Sequence, residues 1–201
     1  PPRVCRGPGW LSLGIGLLLG LALATPSWAL PTEGQVVGGA ATIKQPNAQT
    51  LHVEQLSDRA LLNWQGFSIG ANETVRFLQP NAGSLAVNRV LGGDPSVILG
   101  SLMANGRVFL INPNGILFGA GSVVNVAGFL ATTLSLQDYD LQAGRFTFRQ
   151  DPSKALASII NKGTISVSEH GFVVLTAPGV VNEGLIAAKF GTVGMGAGTQ
   201  M

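Results

Sequence analysis

The sequence predicts an all-β chain wound as a solenoid, and three observations carry that expectation. Ile160-Asn161-Lys162-Gly163-Thr164-Ile165 returns as Val181-Asn182-Glu183-Gly184-Leu185-Ile186, an offset of 21 residues, and Gly171-Phe172-Val173-Val174 is echoed by Gly191-Thr192-Val193. A period near twenty with Asn and Gly ahead of each apolar run suits a coil that bends several times and stacks every strand on its neighbour. Second, short runs alternate apolar and polar with period two, as half-buried strands do. Third, 46% of the 201 residues are hydrophobic, only 11% are charged and 28 are Gly. Inward apolar ladders, with Gly and Asn at corners of positive φ, produce that composition. A β-sandwich with fortuitous spacing is the competing reading of the same runs.

Residues 1–29 stand apart. Basic Arg3 and Arg6 precede an apolar run over residues 10–24, followed by Thr25-Pro26-Ser27-Trp28-Ala29. That is the order of a secretory leader, with small residues at Ser27 and Ala29 for a peptidase, and it predicts cleavage between Ala29 and Leu30. A membrane anchor is the alternative, but the run is short for a span and Pro26 follows it at once. Without the leader, 172 residues remain, with 10 basic side chains against 10 acidic ones, so the net charge of +2 and the pI near 9.1 belong to the leader. No Lys/Arg cluster is left to hold phosphates, which excludes nucleic acid as the expected partner. Cys5 leaves too, and the mature chain must hold together without a disulfide. The chain opens on Pro1 and stops inside a patterned segment, as a piece of something longer would.

Along residues 30–62 the alternation is broken by Pro31 and Pro46, which suits a cap over an exposed terminal edge. Residues 63–201 then read as coils, roughly eight of them if most of the mature chain keeps the period, for a length of about 40 Å. Strand signals are Leu51 and Val53 against His52 and Glu54, Val75 and Phe77 against Arg76, Phe146 and Phe148 against Arg145 and Thr147, and Ile165 and Val167 against Thr164 and Ser166. Val108-Phe109-Leu110-Ile111 is continuously apolar and predicts a strand buried on both faces. Asp94-Pro95 and Asp151-Pro152 each offer a capping side chain and a preset φ, and predict two short helical starts.

After the apolar run comes Asn112-Pro113-Asn114-Gly115-Ile116. Asn at the first turn position bonds the backbone two residues on, Pro113 presets φ, Asn114 tolerates the third position and Gly115 the fourth: a rigid type I turn. With it, Asn63-Trp64-Gln65-Gly66-Phe67-Ser68-Ile69-Gly70, Val87-Asn88-Arg89-Val90 and Asn105-Gly106-Arg107-Val108-Phe109-Leu110-Ile111 occur in order. These blocks resemble the N-terminal secretion domain of filamentous haemagglutinin-type exoproteins, most of all the high-molecular-weight adhesin branch, from about residue 30 to the end. The resemblance implies a right-handed parallel β-helix with an N-terminal cap. It also implies two-partner secretion in a Gram-negative bacterium: export by signal peptide, recognition by an outer-membrane β-barrel transporter with periplasmic domains, and a long adhesin or toxin led to the surface. A host-cell or surface receptor would be bound by the region beyond residue 201. In that family the Asn-Pro-Asn-Gly-Ile motif is tied to secretion, and it maps onto Asn112, Pro113, Asn114, Gly115 and Ile116. Two readings stay open for these five residues, contact with the transporter or a structural corner. The Asn-Pro-Asn-Leu signature of the haemolysin branch is absent. A monomer is expected.

Catalytic readings are weaker. Gly66-Phe67-Ser68-Ile69-Gly70 matches a nucleophile elbow, but it lies among strand signals rather than between a strand and a helix. His170 sits in a corner-like Ser168-Glu169-His170-Gly171, and His52 on the solvated side of a strand. With two His and no mature Cys, neither a metal nor another cofactor is expected. A β-helix carbohydrate-active enzyme would need converging carboxylates, and the close pair Asp138 and Asp140 reads as a polar loop. A directly adhesive glycan- or host-cell-binding module is the other alternative. Asn72-Glu73-Thr74, a formal glycosylation triplet, is assigned no role.

Overall fold

The computed structural model describes residues 30–136 and 145–201. The leader up to Ala29, and Asp138 and Asp140, lie outside the described residues. Those described form strands without a helix. β1 (Gln35–Gly38), β2 (Ala41–Asn47), β3 (Thr50–Gln55) and β4 (Arg59–Trp64) open the fold, β1 antiparallel to β4 and β2 antiparallel to β3. From β3 and β4 onward the coils stack in parallel. β5 (Thr74–Leu78), β6 (Leu85–Val90) and β7 (Ser96–Ile98) form one coil, and β8 (Ser101–Ala104), β9 (Arg107–Ile111) and β10 (Ile116–Phe118) the next. β11 (Val123–Val126) and β12 (Gly128–Thr132) follow, then a short antiparallel excursion, β13 (Ser135–Leu136) with β14 (Phe148–Arg149), before β15 (Ser158–Asn161) completes that coil. β16 (Thr164–Val167), β17 (Phe172–Ala177) and β18 (Gly179–Asn182) make another, and β19 (Leu185–Ala188) and β20 (Thr192–Ala197) the last.

The strands line three faces: β3-β5-β8-β11-β16-β19, with β2 at one edge; β4-β6-β9-β12-β17-β20, with β1 at the same end; and β7-β10-β15-β18. This is a parallel β-helix of about six turns. The sequence count of eight is too high because the opening antiparallel strands and the excursion between β12 and β15 take residues that the period would otherwise assign to coils. The repeat itself is the register: Ile160 pairs with Val181, Asn161 with Asn182, Ile165 with Ile186 and Val173 with Val193.

The interior holds a continuous apolar column that includes Leu62, Trp64, Phe77, Leu102, Leu110, Phe118, Phe129, Ile159 and Ile165. A second cluster lies outside the coil, where Leu85, Val87, Phe109, Ile111 and Leu130 are covered by Leu134, Leu136 and Phe148 of the excursion. Hence Val108 and Leu110 face in while Phe109 and Ile111 face out, and all are buried. The unbroken apolar run of β9 has this cause. At about 1.5–3 kcal/mol for each large apolar side chain fully buried, the outer cluster offsets the ordering cost of a segment that leaves the coil.

Two local expectations are overturned. Neither Asp-Pro pair starts a helix. Ser96 donates its amide to Gly115 O at 3.0 Å and pairs in register with Ile116, so stacking on the next coil recruits the residues after Asp94-Pro95 into β7. Asp151 does act as a cap, its Oδ1 accepting the Ser153 amide at 2.9 Å, but only a single turn forms, closed by the Lys154 amide on Asp151 O at 3.1 Å. Nor do the repeated Asn and Gly need positive φ: among described residues that conformation occurs at Gly39, Gly115 and Gly121 and at Glu33, His170 and Phe190. Gly163 and Gly184 are required by close approach instead. A Cβ on Gly163 would lie 2.0 Å from Ser122 Oγ, and one on Gly184 2.2 Å from Gly163 O. Their asparagines form a ladder, Asn161 Nδ2 donating to Asn182 Oδ1 at 2.7 Å and Asn161 Oδ1 accepting the Gly163 amide at 3.2 Å.

Candidate functional site

Asn112 ends β9 and begins the corner that leads to β10. The Gly115 amide donates to Asn112 O at 3.1 Å, which closes the predicted turn, and neither Pro113 nor Asn114 has positive φ, as type I requires. Gly115, at φ 115°, is the position where only glycine is unstrained. Asn112 Oδ1 accepts the Asn114 amide at 2.9 Å, the local bond expected of an asparagine in first position.

Asn112 Oδ1 also accepts from Asn114 Nδ2 at 3.0 Å, and further contacts reach other coils. Asn112 Nδ2 donates to Asp94 O and to Ser96 Oγ, each at 3.0 Å, and Asn114 Nδ2 donates to Gly92 O at 2.8 Å. On the other side, the Asn112 amide donates to Thr132 O at 3.0 Å. Asn112 is 0% exposed and Ile116 2%, with Ile116 seated in the inner core between Ser96 and Ile159. Pro113 and Asn114 are half-buried. They border a shallow apolar groove of about 450 Å³ over the outward side of β7, β10 and β15, lined by Pro95, Val97, Leu117, Leu156 and Ile160. Leu156 is 70% exposed there. Of the five motif residues, then, Asn112 and Ile116 point into the protein, and Pro113 and Asn114 reach its surface.

The other sequence blocks are brought together by stacking. Asn63-Trp64, Val87-Asn88-Arg89 and the β9 run lie on successive coils of one face. Trp64 Nε1 donates to Asn88 Oδ1 at 3.0 Å, Asn88 Nδ2 donates to Phe109 O at 3.2 Å, and Arg89 Nε donates to Asn63 Oδ1 at 3.1 Å. Asn88 is 0% exposed inside the coil. Sequence reasoning missed this role, and also those of Asp94, Ser96 and Gly92. The only signal was a Trp whose indole N–H needs a buried partner.

The catalytic candidates are dispersed. Ser68 Oγ accepts the Val97 amide at 3.1 Å, tying the first coil to the second. His170 lies at a later corner, where it stacks on Phe190 with ring centroids 5.9 Å apart. His52 is half-buried on β3, beside Lys44 and Arg76 of the neighbouring strands. Among the described residues no group of three or more His, Cys, Asp or Glu converges.

A family model described as the TPS secretion domain matches residues 23–201. The chain belongs to the TPS secretion domain family. This TPS secretion domain is similar to the crystal structure of the HMW1 secretion domain from Haemophilus influenzae, with a TM-score of 0.81 and 40% identity over 85% of this chain and 45% of that one. Two heme/hemopexin-binding proteins of Haemophilus influenzae are also similar. One, from strain Rd, is 38% identical over 165 residues, which are 79% of this chain and 18% of that protein; the other is 41% identical over 125 residues, 62% of this chain and 13% of that protein. The TPS secretion domain thus spans under a fifth of the length of these relatives. The family model thus describes a secretion domain, and the two longer relatives carry the name heme/hemopexin-binding protein.

Proposed function

We propose that this TPS secretion domain directs a much longer, surface-exposed or secreted adhesin-like exoprotein through an outer-membrane β-barrel transporter of a Gram-negative bacterium, and that its coils nucleate folding of the rest outside the cell. The observation that carries the reading is the family match over residues 23–201. The nucleating role is supported by the order of the stack. β1 and β2 close one end with antiparallel strands, and from β3 and β4 onward each strand lies in parallel register on the one of the preceding coil. In such a stack each formed coil offers the backbone on which the next can pair. In this reading the domain acts as a monomer, and a host-cell or surface receptor is bound by the remainder of the exoprotein.

For residues 112–116 the geometry favours the corner over the contact. The side chain of Asn112 is buried and both of its polar atoms are engaged, so a transporter could read it only on an unfolded chain. Pro113 and the Leu117–Leu156 groove are what a folded domain offers to the transporter's periplasmic domains. The test is the binding of wild-type and Asn112→Ala chains to those domains, beside secretion of each. Unchanged affinity of the folded variant with lost secretion is expected; loss of affinity in a variant that still folds would restore direct contact at Asn112.

A further inference from the structure

Two Asn-Gly pairs occur in the chain, Asn105-Gly106 and Asn114-Gly115. Such a pair carries its own reaction, because the amide nitrogen that follows an asparagine can attack the side-chain carbonyl carbon, and glycine has no Cβ to crowd the approach. Asn112 is exempt, since Pro113 has no N–H. In the folded corner the reaction is blocked twice at Asn114. The nucleophile is held, the Gly115 amide donating to Asn112 O at 3.1 Å. The electrophile is held too, Asn114 Nδ2 donating to Gly92 O at 2.8 Å and to Asn112 Oδ1 at 3.0 Å. Gly115 is buried and Asn114 half-buried. The carboxamide of exposed Asn105 is likewise tied down, its Oδ1 accepting the Gln79 amide and its Nδ2 donating to Gln79 O, each at 2.7 Å.

We propose that Asn114 is a deamidation site open in the unfolded chain and closed by folding of the corner, and that its products no longer fit that corner. In the step, the Gly115 nitrogen bonds to Asn114 Cγ as the Cγ–Nδ2 bond breaks, and Nδ2 leaves as ammonia with the proton from Gly115. Water then opens the succinimide. Its hydroxyl goes to Cγ to give aspartate, or to the α-carbonyl carbon to give isoaspartate, and its other proton returns to the Gly115 nitrogen. Aspartate lacks the Nδ2 donor and sets a carboxylate against Gly92 O and Asn112 Oδ1, both acceptors. Isoaspartate routes the backbone through Cβ and Cγ, adding a methylene to the turn that the Gly115 amide closes on Asn112 O. Under the export reading above, on which this consequence rests, a chain that waits unfolded for its transporter loses its corner with time. The reaction itself stands apart from that reading.

The test incubates the 201-residue chain at one mildly alkaline pH, in guanidinium and in native buffer. Asn105, Asn112 and Asn114 are read separately by peptide mass spectrometry, with isoaspartyl methyltransferase marking isoaspartate. In guanidinium Asn105 and Asn114 are expected to convert and Asn112 to stay intact. In native buffer conversion at Asn114 is expected to be at least about tenfold slower, because it proceeds through the open fraction of the corner. The chain aged in guanidinium is then returned to native buffer and treated with protease; converted Asn114 is expected in the digested fraction and largely missing from the resistant one. Asn114→Asp, which carries one product from synthesis, is expected to unfold at lower urea than wild type. Equal conversion of Asn114 in the two conditions, none in guanidinium, or converted Asn114 as frequent in the resistant fraction as in the digested one overturns the proposal, as does a wild-type urea midpoint in Asn114→Asp. These outcomes leave the export reading in place, which transporter-dependent release tests separately.

Discussion

At Asn112 a single side chain joins a turn to the coil before it, while its amide reaches the coil after it. Its removal takes a donor from the buried Ser96 Oγ and breaks the half-buried bonds to Asp94 O and the Asn114 amide, and a buried unsatisfied group costs about 1–3 kcal/mol. Asn112→Ala should therefore lower the unfolding free energy by about that amount in urea titration. Asn112→Asp should do at least as much harm, because it removes the Nδ2 donor and puts a charge at a site of 0% exposure. A midpoint unchanged from wild type in both variants would refute the corner. Gly115→Ala should cost about 1–2 kcal/mol on backbone grounds alone, since φ there is 115°. The turn was legible in the sequence because Asn, Pro, Asn and Gly act on each other locally. The bonds to Asp94 and Ser96 were not, because partners 18 and 16 residues away are set by stacking.

At the scale of elements, the coils are joined by buried polar bonds as well as by apolar ladders. Asn88 and Trp64 couple two adjacent coils through a bond of 3.0 Å. Asn88→Leu should orphan the indole N–H at about 1–3 kcal/mol, and adding Trp64→Phe should recover part of that loss. A double-mutant cycle is expected to give a coupling of about 0.5–3 kcal/mol; zero coupling would remove the bond's role. The β2–β3 pair carries the exposed Lys44–Glu54 ion pair at 2.6 Å. The hydrogen bond from Lys44, aided by its charge, holds the Glu54 carboxyl below the usual glutamate range. A carboxyl lowered in the folded state stabilises it above the ordinary glutamate pKa and loses that contribution as pH falls through the folded value. Titration of Glu54 by NMR should show the lowered value in wild type and its return toward the ordinary one in Lys44→Met. β9 was legible as doubly buried because an uninterrupted apolar run has no solvated side. The two Asp-Pro starts misled because local capping energy is small beside the pairing of a whole strand, and Gly163 and Gly184 because close coil-to-coil approach leaves no mark that separates it from a positive-φ turn.

At the scale of the whole chain the coils stack in a column that antiparallel β1 and β2 cover at one end. The 21-residue offset showed the stacking, since one repeat fixes both the rise and the register of neighbouring coils. It could not reveal the excursion between β12 and β15, which breaks the period to cover Phe109 and Ile111, and the coil number was overcounted for that reason. Residues 30–201 hold 10 basic and 10 acidic side chains, a low charge that matches an interior of apolar ladders. The central claim, that this TPS secretion domain carries the export signal read by a partner transporter, is tested most directly by expressing the 201-residue chain in Gram-negative cells with and without that transporter and measuring the chain in the culture medium. Release that depends on the transporter is predicted. Release to the same extent without it, or retention in the periplasm with it, would contradict the account.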